Sequence, residues 1–408
     1  MRARLESIDV LRGIVMILMA LDHVRDYVGV PANPTDPATA SAALFFTRWI
    51  THLSAPTFFL LTGVGAWLRG TRGTVPREYE SRGTVPRGYE GDSPPTRELA
   101  WFLLTRGAWL IVLELTVVRC LGYQFNFDYR VTMLVILWAL GWAMITLAGL
   151  VFLPTPAVIA FGVVLIVAHN LFDPVNAASL GAFGPIWSIL HAPGIVITRP
   201  DFVVFVAYPI VPWVGVTAAG YGLGQVFGWE PQPRRRFLLR LGLLLALGFL
   251  VLRAINGYGN PVPWSAQQTP VRTMLSFLNA NKYPPSLLYL LMTLGPASLL
   301  LWMLDGGTPR LLRPAHVLGR VPLFYFLVHL PLIHLLAVVA CYARYGVVHW
   351  MFESPSLDKY PVTFPPGWGY DLPGVYFVWI VVVASLYPLC RWFADVRRRR
   401  SDWWLSYL

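Results

Sequence analysis

The chain has 408 residues, of which 56% are hydrophobic and only 13% are charged. Soluble domains contain about 25% charged residues, and a folded surface of this size cannot keep so many apolar side chains away from water. The composition therefore excludes an ordinary soluble protein, a disordered chain and a disulfide scaffold, and predicts a polytopic membrane protein. The net charge of +11 comes from basic clusters between apolar runs, which is typical of cytoplasmic loops, and we expect no nucleic-acid partner.

Ten apolar segments follow in chain order, and a membrane-spanning helix needs about 20 such residues. They cover residues 8–28, 45–68, 98–119, 131–151, 155–172, 201–227, 237–255, 284–304, 317–343 and 372–393. We predict an all-α polytopic membrane protein with about ten transmembrane helices, forming a single domain over residues 1–408 in a lipid bilayer. Within the sixth segment, Gly220, Gly224 and Gly228 recur at intervals of four, which predicts close packing against a neighbouring helix.

The basic residues predict the orientation of these helices. With ten spans, the arginine clusters all fall on one side, so we expect both termini to be cytoplasmic. One cytoplasmic connection, residues 69–97, contains the tandem repeat RGTVPREYES and RGTVPRGYEG, and its prolines predict a flexible loop without a catalytic role. The opposite connections are less basic, and several are long enough to carry function.

Cysteine spacing and the standard motifs give no evidence of metal or redox chemistry. Cys120, Cys341 and Cys390 are odd in number and lack CxxC spacing, which predicts buried thiols and leaves open whether Cys120 and Cys341 ever pair. His329 and His334 are five residues apart, a poor spacing for two ligands on one helix face. No GxSxG, GxxxxGK[ST] or HExxH motif occurs, so we predict no metal site.

The first segment carries several ionisable residues, which are costly inside a bilayer and are functional candidates. Asp9 and Arg12 share a helix face, and a structural ion pair is the favoured interpretation, with contact to an anionic cofactor as the alternative. Counting from Ile8, His23 lies about 22 Å along the helix, in the outer half of the membrane. Flanked by Asp22 and Asp26, it is a candidate general base, and an interfacial structural histidine is the alternative.

Other polar residues fall in the same outer half. Arg48 and His52 are four apart and project from one face. Each residue alone is more often a satisfied buried group, but together they predict a polar chamber open toward the outer side. The further residues assigned to this chamber are Glu114, Arg119, His169, Asn170, Arg253, Asn256, His329 and His334.

Several long strings of the sequence resemble one known family. They are SIDVLRGIVMILMALDHVRDY (Ser7–Tyr27), FFTRWITHLSAPTFFLLTG (Phe45–Gly63), FLLTRGAWLIVLELTVVR (Phe102–Arg119), NKYPPSLLYLLMTLGPA (Asn281–Ala297), GRVPLFYFLVHLPLIHLLA (Gly319–Ala337) and WWLSYL (Trp403–Leu408). They are similar to the transmembrane acyltransferase family that contains heparan-alpha-glucosaminide N-acetyltransferase, and more narrowly to its bacterial branch. The resemblance extends over essentially the whole chain.

This resemblance implies transfer of an acetyl or short acyl group from cytosolic acetyl-CoA to a sugar amine or hydroxyl across the membrane. The implied acceptor is a cell-envelope sugar or glycolipid, and the implied location is a bacterial plasma (inner) membrane, with a homo-oligomer left open. The lysosomal members have Asn near the position of His23, and their proposed catalytic His lies in the following loop. Here that loop, Gly29–Leu44, contains no His, so His23 is the natural substitute.

The combined interpretation assigns a role to each candidate. His23 is the predicted base with Asp22 as its support, and Arg48 or His52 is predicted to stabilise the oxyanion. The predicted cofactor-binding residues are Arg12, Arg106 and Arg320. The predicted substrate-binding residues are Asp26, Glu114, Asn256, His329 and His334. Two alternatives remain, namely a transporter or flippase of a small polar or lipid-linked solute, and an inactive membrane scaffold.

Overall fold

The computed structural model describes residues 5–36, 39–71, 96–354, 364–400 and 402–407. Over these residues the chain is mainly helical, with one small sheet. The helices are α1 (Glu6–Val28), α2 (Ala42–Thr51), α3 (Ser54–Gly70), α4 (Thr96–Leu113), α5 (Ile136–Leu150), α6 (Thr155–Ala168), α7 (Gly184–Leu190), α8 (Ile210–Gly224), α9 (Pro231–Ile255), α10 (Pro270–Leu278), α11 (Leu287–Leu304), α12 (Arg313–Gly319), α13 (Pro322–Tyr345) and α14 (Leu372–Arg399). The strands are β1 (Val131–Leu134), β2 (Gly194–Arg199) and β3 (Phe202–Val206). Helix α4 continues as a π-helix over Glu114–Tyr123.

The helical content confirms the all-α polytopic prediction. Within the described residues, seven helical stretches are long and apolar enough to cross a membrane, and they include α4, α6, α8, α9, α11, α13 and α14. The three other predicted segments correspond to α1, which is charged, to α5, which has 15 residues, and to the pair α2 and α3, which is interrupted at His52 and Leu53. The repeat and most of the predicted loop 69–97 lie outside the described residues.

A three-stranded sheet corrects two of the predicted segments. Residues 131–134 and 202–206 are strands rather than the first turns of helices, and β1 pairs parallel to β3, which pairs antiparallel to β2. Both strands run directly into apolar helices in the sequence. A continuous apolar run has neither a two-residue nor a 3.6-residue period, so the pattern could not separate strand from helix.

Helix α1 lies at the centre of the assembly. It packs against α2, α3, α11, α12, α13 and α14, and much of its apolar surface is fully buried. The predicted ion pair at its start is confirmed, because Arg12 Nη1 lies 3.0 Å from Asp9 Oδ1. The approach of α12 is so close that a Cβ atom on Gly13 would lie 1.8 Å from the carbonyl oxygen of Ala315. Three charged residues of α1, namely Asp9, Asp22 and Arg25, are buried among the helices that surround it.

Small residues also join α3 to α8. A Cβ atom on Gly220 would lie 2.2 Å from the carbonyl oxygen of Leu60, and one on Gly224 would lie 2.5 Å from Cβ of Trp67. The predicted close packing is confirmed at both glycines, whereas Gly228 meets only an ordinary van der Waals neighbour. All three cysteines are buried and free, as predicted, so no bond joins Cys120 to Cys341.

Candidate active site

A cavity of about 550 Å³ lies beside the C-terminal half of α1. Its walls come from α1, the junction of α2 and α3, the sheet, and the connections that include residues 32–35 and 279–283. Five of the predicted site residues line it. They are Asp22, His23, Asp26, Arg48 and His52. Three of these residues lie on α1 and two lie at the end of α2, so part of the predicted polar chamber is assembled here.

The carboxylate of Asp22 is the centre of a charged cluster. It accepts hydrogen bonds from Arg25 Nη2 and Thr51 Oγ1, each at 3.0 Å, and it pairs with the guanidinium of Arg48. Lys282 Nζ lies 3.9 Å from its second oxygen. Asp22 was predicted to support His23. The hydrogen-bond and ion-pair partners of its carboxylate are cations and a hydroxyl group.

The cluster as a whole is cationic. Arg25 also donates to Asp26 at 2.5 Å, so two carboxylates face three cations. With every group ionised, these side chains carry a net charge of +1. Asp22 and Arg48 are largely buried, where water screens charge poorly. The cavity wall therefore favours a negative charge that forms next to it.

His23 is half-buried on the cavity wall, with its ring against that of His329 from α13. The ring centroids are 5.2 Å apart. Nδ1 of His329 lies 2.7 Å from the carbonyl oxygen of Phe326, which can only accept, so Nδ1 carries the proton and Nε2 keeps a lone pair. That Nε2 atom is buried without a hydrogen-bond partner. His23 thus packs against a histidine whose tautomer is fixed by the backbone.

The interruption between α2 and α3 positions His52. Pro56 has no N–H to donate to the carbonyl of His52, so that oxygen is free to accept from the hydroxyl of Tyr289 at 3.0 Å. The His52 ring packs against the Tyr289 ring, and its Nδ1 atom is buried without a partner. The carbonyl group that Pro56 leaves without a helical donor is therefore hydrogen-bonded by Tyr289 of α11. This contact holds in place the part of the cavity wall that carries Arg48.

Lys282 is a site residue that sequence reasoning missed. Its side chain is only 10% exposed, and the turn that carries it is braced because Asn260 Oδ1 accepts from the backbone N–H of Asn281 at 2.7 Å and from Ser286 Oγ at 2.9 Å. A signal existed in the sequence, because Lys282 and Lys359 are the only lysines among 32 basic residues. A rare lysine in a weakly basic connection is a better candidate than an arginine in a basic cluster.

Four other predicted substrate-binding residues do not line the cavity. Glu114 accepts two backbone N–H groups at the start of α5, at 2.8 and 3.3 Å, and so caps that helix. Asn256 exchanges hydrogen bonds with the backbone of Trp264, and both ring nitrogens of His334 face backbone carbonyl oxygens. The ring of His329 packs against that of His23 but does not line the cavity. These placements give no support to substrate binding by Glu114, Asn256 or His334.

The predicted cofactor-binding arginines lie together at the other end of α1. Arg12 Nη1 donates to the carbonyl oxygen of Gly319, and Arg397 Nη1 donates to that of Arg320. Arg106 lies within electrostatic range of Arg12 and Arg397. Three arginines from distant parts of the sequence therefore share one basic region, which is separate from the cavity.

These features define a helical membrane protein with a charged cavity between its helices. Residues 4–248 match the family model described as heparan-alpha-glucosaminide N-acetyltransferase, catalytic. That match covers more than half of the chain, so the chain belongs to this family of membrane acetyltransferases. The matched residues include Asp22, His23, Arg48 and His52, whereas Lys282 lies beyond them. A search of curated proteins finds no match to the chain.

Proposed function

We propose that this protein transfers an acetyl group from acetyl-CoA to an amine or hydroxyl of a sugar on the extracytoplasmic side of the membrane. The observation that carries the proposal is the position of His23 on the wall of a cavity that also carries a net cationic cluster. Acyl transfer needs a base for the acceptor proton and positive charge for the oxyanion that develops. The candidate base, His23, and the cationic cluster line the same cavity.

In this proposal His23 takes the proton of the acceptor N–H or O–H as that atom attacks the acetyl carbonyl carbon. The imidazole of His23 is a side chain on the cavity wall that can accept this proton. His329 acts as a positioning residue, because its Nδ1 is held by a backbone carbonyl and its ring packs against His23. The proton leaves with the thiol of the released CoA, which balances the reaction.

Lys282 is the proposed electrostatic partner of the oxyanion, with Arg48 beside it. Arg48 pairs closely with Asp22, which holds its guanidinium in place. Lys282 stands further off at 3.9 Å, and an ammonium group has three donors, so it can reach a second oxygen. The sequence predicted Arg48 or His52 for this role, and the cavity adds Lys282.

Asp26 is the proposed contact for the acceptor. It lines the cavity, and its side chain is 28% exposed, more than that of Asp22. Its Oδ1 atom accepts from Arg25, which leaves Oδ2 for the hydroxyl or amine hydrogens of a sugar. A carboxylate there selects acceptors rich in hydrogen-bond donors.

The basic region around Arg12, Arg106 and Arg320 is the proposed site for the phosphates of the donor. Its chemistry fits, because guanidinium groups bind phosphate well and the Nε atom of Arg320 is buried without a partner. Acetyl-CoA supplies the acetyl group when bound. We place this region on the cytoplasmic side because the basic loops predict that orientation. The donor and the acceptor would then approach from opposite faces of the membrane.

The test uses the full chain, purified in detergent, with radiolabelled acetyl-CoA and a panel of amino sugars and neutral sugars. We expect acetyl-CoA to raise Tm, and label to move to at least one sugar with release of free CoA thiol. His349→Ala is a matched control, because His349 is an exposed histidine away from the cavity. Solute passage across vesicles without loss of the acetyl group, or no effect of acetyl-CoA on Tm, would contradict the proposal.

A further inference from the structure

A second cluster of polar side chains lies outside the cavity. His169 follows α6, Asp173 lies four residues later, and His191 follows α7. One nitrogen or oxygen atom from each residue lies within 4.8 Å of the others. Nε2 of His191 is 3.1 Å from Asp173 Oδ1, and the two histidine ring centroids are 5.8 Å apart. Two imidazoles and one carboxylate thus converge on a single point.

His169 has no hydrogen-bond partner to explain its burial. It is 2% exposed, and both of its ring nitrogens are buried without a partner. Leaving a buried polar atom unpaired is unfavourable, so such groups normally have an acceptor, a donor or a ligand. A ligand that binds a ring nitrogen of His169 would also lie beside His191 and the carboxylate of Asp173.

We propose that His169, Asp173 and His191 bind a first-row transition-metal dication, for which Zn²⁺ is the probe. Two imidazole nitrogens and one carboxylate oxygen are a common zinc ligand set, and a water completes the tetrahedron. Mg²⁺ and Ca²⁺ prefer oxygen ligands alone, so the two histidines select against them. When the ion binds, it replaces the proton in the hydrogen bond between His191 and Asp173. The ion then draws the three ligand atoms closer together.

Asn170 supplies the support that metal ligands require. Its Nδ2 donates to Asp173 Oδ2 at 2.8 Å, and its Oδ1 accepts from the backbone N–H of Leu287, also at 2.8 Å. Partners of this kind orient a carboxylate ligand, and their loss lowers metal affinity by about 10–100-fold. Leu287 begins α11, which follows the turn that carries Lys282. The ion would therefore stabilise a connection that forms part of the cavity wall.

Sequence reasoning predicted no metal site. The spacing of His329 and His334 argues against a metal site, and the positions of His169 and Asn170 predict only a polar chamber. His191 lies 18 residues from Asp173 in a connection without a ligand motif, so the spacing carried no signal. The segment after α6 packs against α7, with the ring of Phe172 against those of Trp187 and His191, and this contact brings the three ligands together.

The test is metal binding by the full chain, purified in detergent without a metal-affinity column and stripped with EDTA. On addition of ZnCl₂ we expect about one Zn²⁺ per chain by mass spectrometry and a rise in Tm. Asn170→Ala should weaken the affinity by about 10–100-fold. His349→Ala is the control, because it removes an exposed histidine and should leave zinc content unchanged.

His169→Leu separates a metal ligand from a merely buried histidine. Leucine removes two unpaired nitrogens, so the stripped variant should melt no lower than the stripped wild type. We expect the variant to lose both stoichiometric zinc and the zinc-dependent rise in Tm. A wild type that binds no Zn²⁺, a His169→Leu protein that binds it with unchanged affinity, or stabilisation by Mg²⁺ alone would each overturn the assignment.

Discussion

The Nζ atom of Lys282 lies 3.9 Å from the Oδ2 atom of Asp22, which joins the turn before α11 to the central helix α1. The same carboxylate holds Arg25 and Arg48. One aspartate therefore fixes three cations from three parts of the chain, and the cavity exists only where these parts meet. This relationship makes Asp22 an organising residue and leaves Lys282 as the cation that stands furthest from it.

Lys282→Met should lower kcat for acetyl transfer by about 10²–10³-fold, the usual effect of removing one oxyanion donor. Lys282→Arg keeps the charge and should retain more activity. Arg272→Met is the matched control, because Arg272 lies in the same connection but does not line the cavity. Steady-state rates at saturating acceptor make the comparison, and equal kcat values for the Lys282 and Arg272 variants would exclude this role.

His23→Ala should reduce turnover by about 10²–10⁴-fold, the usual contribution of a positioned general base. The variant should fold, because the His23 side chain is only half-buried. The measurement is label transfer by reconstituted protein, with Tm recorded on the same sample. Full turnover in the variant would show that another group takes the proton.

Asp22→Asn should destabilise the protein by about 3 kcal/mol or more, because it leaves three cations facing the single carboxylate of Asp26. Adding Arg48→Met should recover part of that loss, since it removes one of the unpaired charges. Thermal melts of the wild type, both single variants and the double variant measure the coupling. Strictly additive losses would argue against an interacting pair.

Gly63→Ala should destabilise the contact of α3 with α8 by about 1–3 kcal/mol, because the added Cβ would lie 2.0 Å from the carbonyl oxygen of Thr217. Gly65 provides the control on the same helix. A Cβ atom there meets nothing within 4 Å, so Gly65→Ala should be neutral or stabilising by up to about 1 kcal/mol. Equal melting temperatures for the two variants would contradict the packing argument.

The sequence predicted the helices well, because apolar runs of membrane length are long and unambiguous. It also predicted the line of charge along α1, since ionisable residues in such a segment are conspicuous. The spacing of Arg48 and His52 predicts a shared helix face, and both residues line one cavity with Asp22 and His23. The termini and the sidedness of the loops stay predictions from the distribution of arginine.

The remaining features depend on contacts between distant parts of the chain. The strands β1 and β3 begin apolar runs that continue as helices, and only their mutual pairing distinguishes them. Lys282 is placed on the cavity wall beside Asp22, and Glu114 caps α5 and does not line the cavity. A polar residue in an apolar segment indicates that its side chain has a buried hydrogen-bond partner. Local sequence does not distinguish a substrate from the backbone as that partner.

The central place of α1 has a consequence for biosynthesis. Its charges are made early and pair with one another and with the nearby Arg48, but Lys282 and the helices α11 to α14, which also enclose α1, are translated much later. Until then one side of this charged helix lacks its protein neighbours, and a bilayer tolerates exposed charges poorly. Truncated chains that end before α11 should therefore be inserted less stably and be degraded by quality-control proteases.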